Sequence, residues 1–255
     1  MSTQNEITCN QLAGDWRIYQ LRGGHRWNTD DLLVAWNALR VAPDAERLLD
    51  LGSGVGSIGL LTLRRLPGTA QLTAVEAQEV SVGLARQTLA LNQVTDRVQL
   101  IHSDLRAVSA EGPPGFDLIT GNPPYLPEQA ATRPRHPQKA YARLELRGDV
   151  FDYCRVAAAN LAPGGWLSFC HAARDPRPPR AVAAAGLALR AAQPIIFREG
   201  KAPTITVYTA SWSGRREDRA PLLVRDAAGR WTPEMRAIRD EMGLSSAPAP
   251  PSRER

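Results

Sequence analysis

The sequence predicts an α/β domain with a mostly parallel, doubly wound sheet and helices on both faces. Three observations predict it. Short apolar runs alternate with segments of helical periodicity from residue 47 onward. Glycine, acidic and proline motifs fall at the carboxyl ends of those runs, where open parallel sheets bind ligands. Two late runs, 194–199 and 204–212, read as a closing antiparallel pair.

The elements follow in order. Residues 47–51 (RLLDL) are apolar and end at a glycine, which marks a buried strand. Residues 56–66 have helical spacing, and Pro67-Gly68 stops them. A second strand is expected over 71–76, an amphipathic helix over 79–91, and strands over 97–101 and 116–120. A helix over 149–161 ends at Pro163-Gly164-Gly165, before a strand over 166–170. Alanine-rich residues 179–192 read as a helix, 222–231 as a strand and turn, and 233–242 as a last helix. Residues 1–14 are polar and expected to be flexible, 15–243 form the domain, and 244–255 are a Pro- and Ser-rich tail expected to be disordered. Right-handed crossovers join the parallel strands.

A chain of 255 residues can bury a core without staples. Cys9, Cys154 and Cys170 lie far apart without a CxxC pair, so neither a disulfide framework nor a metal site is signalled. No apolar run approaches the ~20 residues of a membrane span. The start, MSTQNEIT, has no signal-peptide pattern, so the cytoplasm is the expected compartment. The net charge of +5 and pI of about 9.5 favour contact with phosphates. Among 31 basic residues only Lys139 and Lys201 are lysines, so coding bias explains the sum equally well. Where the charges sit is more informative than their total.

Asp50-Leu51-Gly52-Ser53-Gly54-Val55-Gly56 joins the first strand to the first helix. Glycines there allow a tight turn and a close backbone approach to a ligand. A dinucleotide would set its pyrophosphate on the helix start. The cofactor S-adenosylmethionine, which has no phosphate, needs only close approach and hydrogen bonds. The loop begins at Gly52, and Gly59 lies a turn inside the helix, so the spacing favours the second cofactor. Glu76, followed by Ala77, ends the second strand, where a carboxylate can accept ribose hydroxyls. Asp104 could accept an adenine amine, with Leu105 offering a backbone N–H; Asp104 also reads as an N-cap.

Asn122-Pro123-Pro124-Tyr125 follows the fourth strand. Consecutive prolines end the strand and stiffen the chain beyond it. A planar exocyclic nitrogen is a weak nucleophile, because its lone pair is delocalised. The Asn122 oxygen and the Pro123 carbonyl could accept its two N–H groups and turn the lone pair toward a sulfonium methyl. Tyr125 offers a stacking face for a base, worth ~1–3 kcal/mol. No strong base is required, since the nitrogen becomes acidic as the methyl arrives.

On these motifs the chain resembles class I methyltransferases carrying Asn-Pro-Pro-Tyr, and more closely the tRNA1(Val) adenine-N6-methyltransferase family. The resemblance covers roughly residues 15–243 and includes DLGSGVG, Glu76, Asp104-Leu105, NPPY, Trp27-Asn28-Thr29-Asp30-Asp31 and Ala142-Arg143-Leu144-Glu145. It implies a seven-stranded sheet with an antiparallel last strand and S-adenosylmethionine as cofactor. It also implies Thr29 and Asp30 near the methionine end, and a tRNA adenine as acceptor. Residues 126–147, with Arg133, Arg135, Lys139 and Arg143, read as a basic flexible loop that would grip a phosphate backbone. Protein glutamine N5-methylation is the rival activity, because its acceptor nitrogen is also planar. Further rivals are N-methylation of another nucleic acid or of a small molecule, and a noncatalytic nucleoside- or RNA-binding module.

Overall fold

The computed structural model describes residues 5–108, 115–127, 129 and 134–244. The chain runs through β1 (Ile7–Ala13), β2 (Trp16–Leu21), α1 (Thr29–Val41), β3 (Arg47–Leu51), α2 (Ser57–Leu63), β4 (Gln71–Glu76), α3 (Glu79–Leu91), β5 (Val98–His102) and β6 (Phe116–Gly121). It continues through α4 (Pro137–Arg143), α5 (Val150–Asn160), β7 (Leu161–Ala172), α6 (Arg177–Ala184), β8 (Ala188–Ile196), β9 (Ile205–Ser211), β10 (Leu222–Leu223) and α7 (Pro233–Glu241). One sheet has the order β10-β8-β9-β7-β6-β3-β4-β5. Only β9 runs antiparallel to its neighbours, β7 and β8. The sheet holds eight strands rather than seven, because Leu222 and Leu223 add a short parallel edge to β8.

β3 pairs with β4 on one side and β6 on the other. The chain therefore reverses its direction of winding at β3, and a crevice opens above the carboxyl ends of β3 and β6. Apolar side chains fill both faces of the sheet. Leu32, Leu33, Leu60, Leu61 and Leu84 cluster from α1, α2 and α3, and Tyr153, Cys154, Val156 and Val182 from α5 and α6. Each fully buried leucine contributes ~1.5–3 kcal/mol. Among the described residues no helix is long and apolar enough to cross a membrane.

Further sequence expectations need correction. Residues 7–13 are not loose: they pair with β2 in a hairpin turned at Gly14, whose φ is +54°. The hairpin docks on α3, where Thr88 Oγ1 accepts from Tyr19 N at 3.0 Å and the Asn92 side chain brackets the Arg17 peptide at 2.8 and 2.7 Å. Leu12 and Ile18 are fully buried there. Next, the alanine-rich helix ends at Ala184, not 192. Gly186 turns the chain with φ +77°, and residues from Ala188 join the sheet, so pairing with β9 overrides alanine's helical propensity. Lastly, the segment expected as a flexible loop contains α4, with Pro137 at its first turn. At the tail, Leu244 is buried in the core, and residues 245–255 lie outside the described residues.

Candidate active site

The glycine loop is built by three left-handed residues: Gly52, Gly54 and Gly56 have φ of +63°, +58° and +91°. A side chain at any of them would strain the backbone. The loop is anchored from both sides. Ser53 N donates to Val75 O of β4 at 2.9 Å. Glu76 accepts from Gly54 N at 2.8 Å and from Gln78 N at 2.6 Å. Burial pushes the Glu76 carboxyl up, and the three backbone donors at Gln78, Gly54 and Ala77 pull against it.

Above the strand ends lies a cavity walled by Gly52, Ser53, Gly54, Glu76, Ala77, Asp104, Leu105, Asn122, Pro124 and Tyr125, among others. Motifs from four strand ends thus meet at one place. Asp30 and Arg143 also face it. Burial and the adjacent Asp31 push the Asp30 carboxyl up to about 7. Burial, with Asp30 next, pushes the Tyr125 phenol to about 12, so it stays neutral. Its ring meets His171 edge-on at 5.7 Å.

Several expected site residues stand elsewhere. Thr29, Asp50, Gly56, Pro123, Arg135 and Lys139 are not in the cavity wall. Asp50 is fully buried beneath the loop, where it accepts from Thr120 Oγ1 at 2.8 Å and Gly59 N at 3.0 Å, so it braces β6 and α2. Gly56 is the N-cap of α2. Pro123 is buried behind Asn122, so the second acceptor expected at its carbonyl is not at the open wall. Asp104 caps a single 3-10 turn through Arg106 N and is paired by the Arg106 guanidinium at 2.7 Å, so the capping role is realised at the cavity edge. Arg133 lies outside the described residues.

A family model for the methyltransferase small domain matches residues 31–151. The tRNA1(Val) (adenine(37)-N6)-methyltransferase of Tolumonas auensis is 28% identical over 235 residues, covering 89% of this chain and 93% of that protein. The release factor glutamine methyltransferase of Chlorobaculum tepidum is 35% identical over 135 residues, covering 49% of this chain and 45% of that protein. The fold is shared with a predicted O-methyltransferase from Agrobacterium tumefaciens, Atu636, at TM-score 0.61 and 23% identity, over 87% of this chain and all of that one. This chain is an S-adenosylmethionine-dependent methyltransferase.

Within the methyltransferase, the structure gives a place to residues that motif reading left without a role. Asp31, on the first turn of α1, lines the cavity and is 3% exposed. Its neighbours spell a capping box, Asn28 through Asp31, which is a local sequence signal. Gln138 of α4 accepts from His25 N at 3.2 Å and donates to Ser81 Oγ at 3.0 Å, so it ties the N-terminal segment to α3 across the cavity. The Arg147 guanidinium lies 4.3 Å over the Tyr141 ring, and its buried Nη1 has no hydrogen-bond partner among the described residues at the same wall. No short-range pattern marks either pair.

The residues fit the cofactor that the fold implies. A Cβ on Gly54 would meet nothing within 4 Å, so that glycine faces open space in the cradle. The buried Glu76 carboxylate keeps lone pairs for a diol, and Arg147 Nη1 is a donor awaiting an acceptor.

Proposed function

We propose that this methyltransferase acts on the N6 amine of an adenine in RNA, and that its substrate is a tRNA in the cytoplasm. The observation that carries the reading is Asn122 standing on the wall of the cavity that Gly52 and Gly54 floor, with Tyr125 beside it. The curated relatives matched over most of the chain carry that activity in their names.

S-adenosylmethionine supplies an electrophilic methyl on a positively charged sulfur. Gly52 and Gly54 allow its close approach, Glu76 would take the ribose hydroxyls, Leu105 N–H would face the adenine, and Asp30 would offer negative charge to the amino-acid end. Asn122 Oδ1 would accept one N–H of the acceptor amine. That contact strengthens as positive charge builds on nitrogen, so it favours the transition state over the ground state. The cofactor would supply its methyl to that nitrogen, a new N–C bond replacing the S–C bond, and the nitrogen would then release its proton to water. Tyr125 would stack on the base and fix its plane. Arg143 at the cavity, with Arg133, Arg135 and Lys139 nearby in sequence, would hold phosphates.

Glutamine N5-methylation is the second reading, favoured by the Chlorobaculum relative. The test is methyl transfer from labelled cofactor to unmodified tRNA and to a glutamine-containing release-factor peptide. The expected result is label in tRNA alone, with Asn122→Ala lowering turnover ~10²–10³-fold and cofactor affinity moving only a few-fold. Label in the peptide alone would overturn the adenine assignment.

A further inference from the structure

We infer that Asp31 and Cys170 are positioning residues that lock the Asn122 carboxamide in one orientation. The inference rests on Asn122 being the amine acceptor. Asn122 Nδ2 donates to Asp31 Oδ1 at 3.2 Å, and the Cys170 thiol donates to Asn122 Oδ1 at 3.1 Å. Both partners are buried, Asp31 at 3% and Cys170 at 0% exposure. They reach Asn122 from different elements, Asp31 from α1 and Cys170 from β7.

A carboxamide can turn by half a revolution with almost no change in shape. Here that turn would set Asn122 Oδ1 against the Asp31 carboxylate, an acceptor facing an acceptor, with the loss of a charge-assisted hydrogen bond. Asp31 cannot rotate to relieve the clash. Its Oδ2 already accepts from Ser57 Oγ at 3.0 Å and from Asn28 N at 3.2 Å. The capping box that starts α1 therefore also fixes the acceptor. On the other side, burial, followed by the nearby Asp30 and Asp31, raises the Cys170 thiol well above the ordinary range, so it remains a protonated donor. The thiol uses one lone pair of Oδ1 and leaves the other for the substrate amine. Negative charge at Asp31 also draws the amide toward its charge-separated form, which makes Oδ1 a stronger acceptor as the amine becomes positive.

The experiment compares Asn122→Ala, Asp31→Asn, Cys170→Ser and Cys170→Val in the full-length protein. Steady-state methylation of tRNA, S-adenosylhomocysteine affinity by calorimetry and the thermal midpoint are measured for each. Asp31→Asn is expected to lower kcat at least ten-fold, with KM for tRNA and the affinity for S-adenosylhomocysteine within three-fold. Cys170→Ser, which keeps a donor, is expected to hold kcat within three-fold, and Cys170→Val to lose at least ten-fold. A packing role gives the opposite order, since valine suits a buried strand and serine does not. An inactive Asn122→Ala beside Asp31→Asn and Cys170→Val with kcat within three-fold would overturn this inference alone. Turnover surviving in Asn122→Ala would remove the acceptor assignment and this inference with it. Should Asp31→Asn fail to fold, the serine–valine order decides: serine above valine supports the lock, and the reverse or equality overturns it.

Discussion

Gly52 and Gly54 are two residues apart and both left-handed, yet alanine at each should fail in a different way. Placing an L residue at φ near +60° costs ~1–2 kcal/mol at either position. At Gly52 the new Cβ would overlap the hydroxyl of Tyr153, an α5 residue that is only 6% exposed, so the ring or the loop must shift. Forcing an extra methyl into such packing adds ~1–3 kcal/mol. Gly52→Ala should therefore cost ~2–5 kcal/mol in all, a large part of the stability of a domain this size. At Gly54 the Cβ meets nothing within 4 Å, because it projects into the cavity. Gly54→Ala should cost only the backbone ~1–2 kcal/mol but should fill space that the cofactor needs. Denaturant unfolding and calorimetric titration of S-adenosylhomocysteine separate the two. Gly54→Ala should lose affinity at least ~10-fold, equivalent to ~1.4 kcal/mol. Gly52→Ala should be less stable than Gly54→Ala by at least ~1 kcal/mol. Removing the hydroxyl with Tyr153→Phe in the Gly52→Ala background should recover part of that loss, a coupling a double-mutant cycle reads directly. Equal destabilisation by the two alanines, or normal binding in Gly54→Ala, would refute this account of the loop.

Other consequences can be measured with the same purified protein. Glu76→Gln should weaken S-adenosylhomocysteine binding at least ~10-fold through loss of charged hydrogen bonds, worth ~1.5–3 kcal/mol each; unchanged calorimetric affinity would remove Glu76 from the ribose site. The Asp50 carboxyl is pushed from 3.8 up to about 7, chiefly by burial, so its contribution to stability is complete below pH 3.8 and is lost as pH rises through about 7. Asp50→Asn cannot titrate, so between pH 4 and 7 its stability should fall less than that of the wild type; parallel curves in denaturant titrations would contradict the shift. Arg135, Lys139 and Arg143 changed together to alanine should flatten the salt dependence of tRNA binding by ~1 for each phosphate no longer held. An unchanged slope would take those side chains off the RNA path.

The parts legible in the sequence were those encoded by neighbours along the chain. The glycine loop, the acidic end of β4 and the Asn-Pro-Pro-Tyr corner each announce themselves within seven residues, and the strand-end rule brings them together. The missed parts depend on partners far away in the chain. The β1–β2 hairpin holds because Thr88 and Asn92 of α3 satisfy its edge. The order of α4 comes from Gln138 and from His136, whose ring meets Asn5 Oδ1 at 3.1 Å. Asp31 meets Asn122 across 91 positions, a juxtaposition no spacing rule contains. β8 was hidden for a different reason, since its alanines prefer helix locally and only the ladder with β9 makes them a strand.

A cofactor carrying a deuterated methyl group, incubated with unmodified tRNA and this enzyme, gives the most direct reading once the RNA is digested to nucleosides for mass spectrometry. The geometry at Asn122 predicts the label in N6-methyladenosine, and its disappearance in Asn122→Ala. Label at a ring nitrogen, a carbon or a ribose oxygen, or N6 label that persists without the Asn122 side chain, would contradict it.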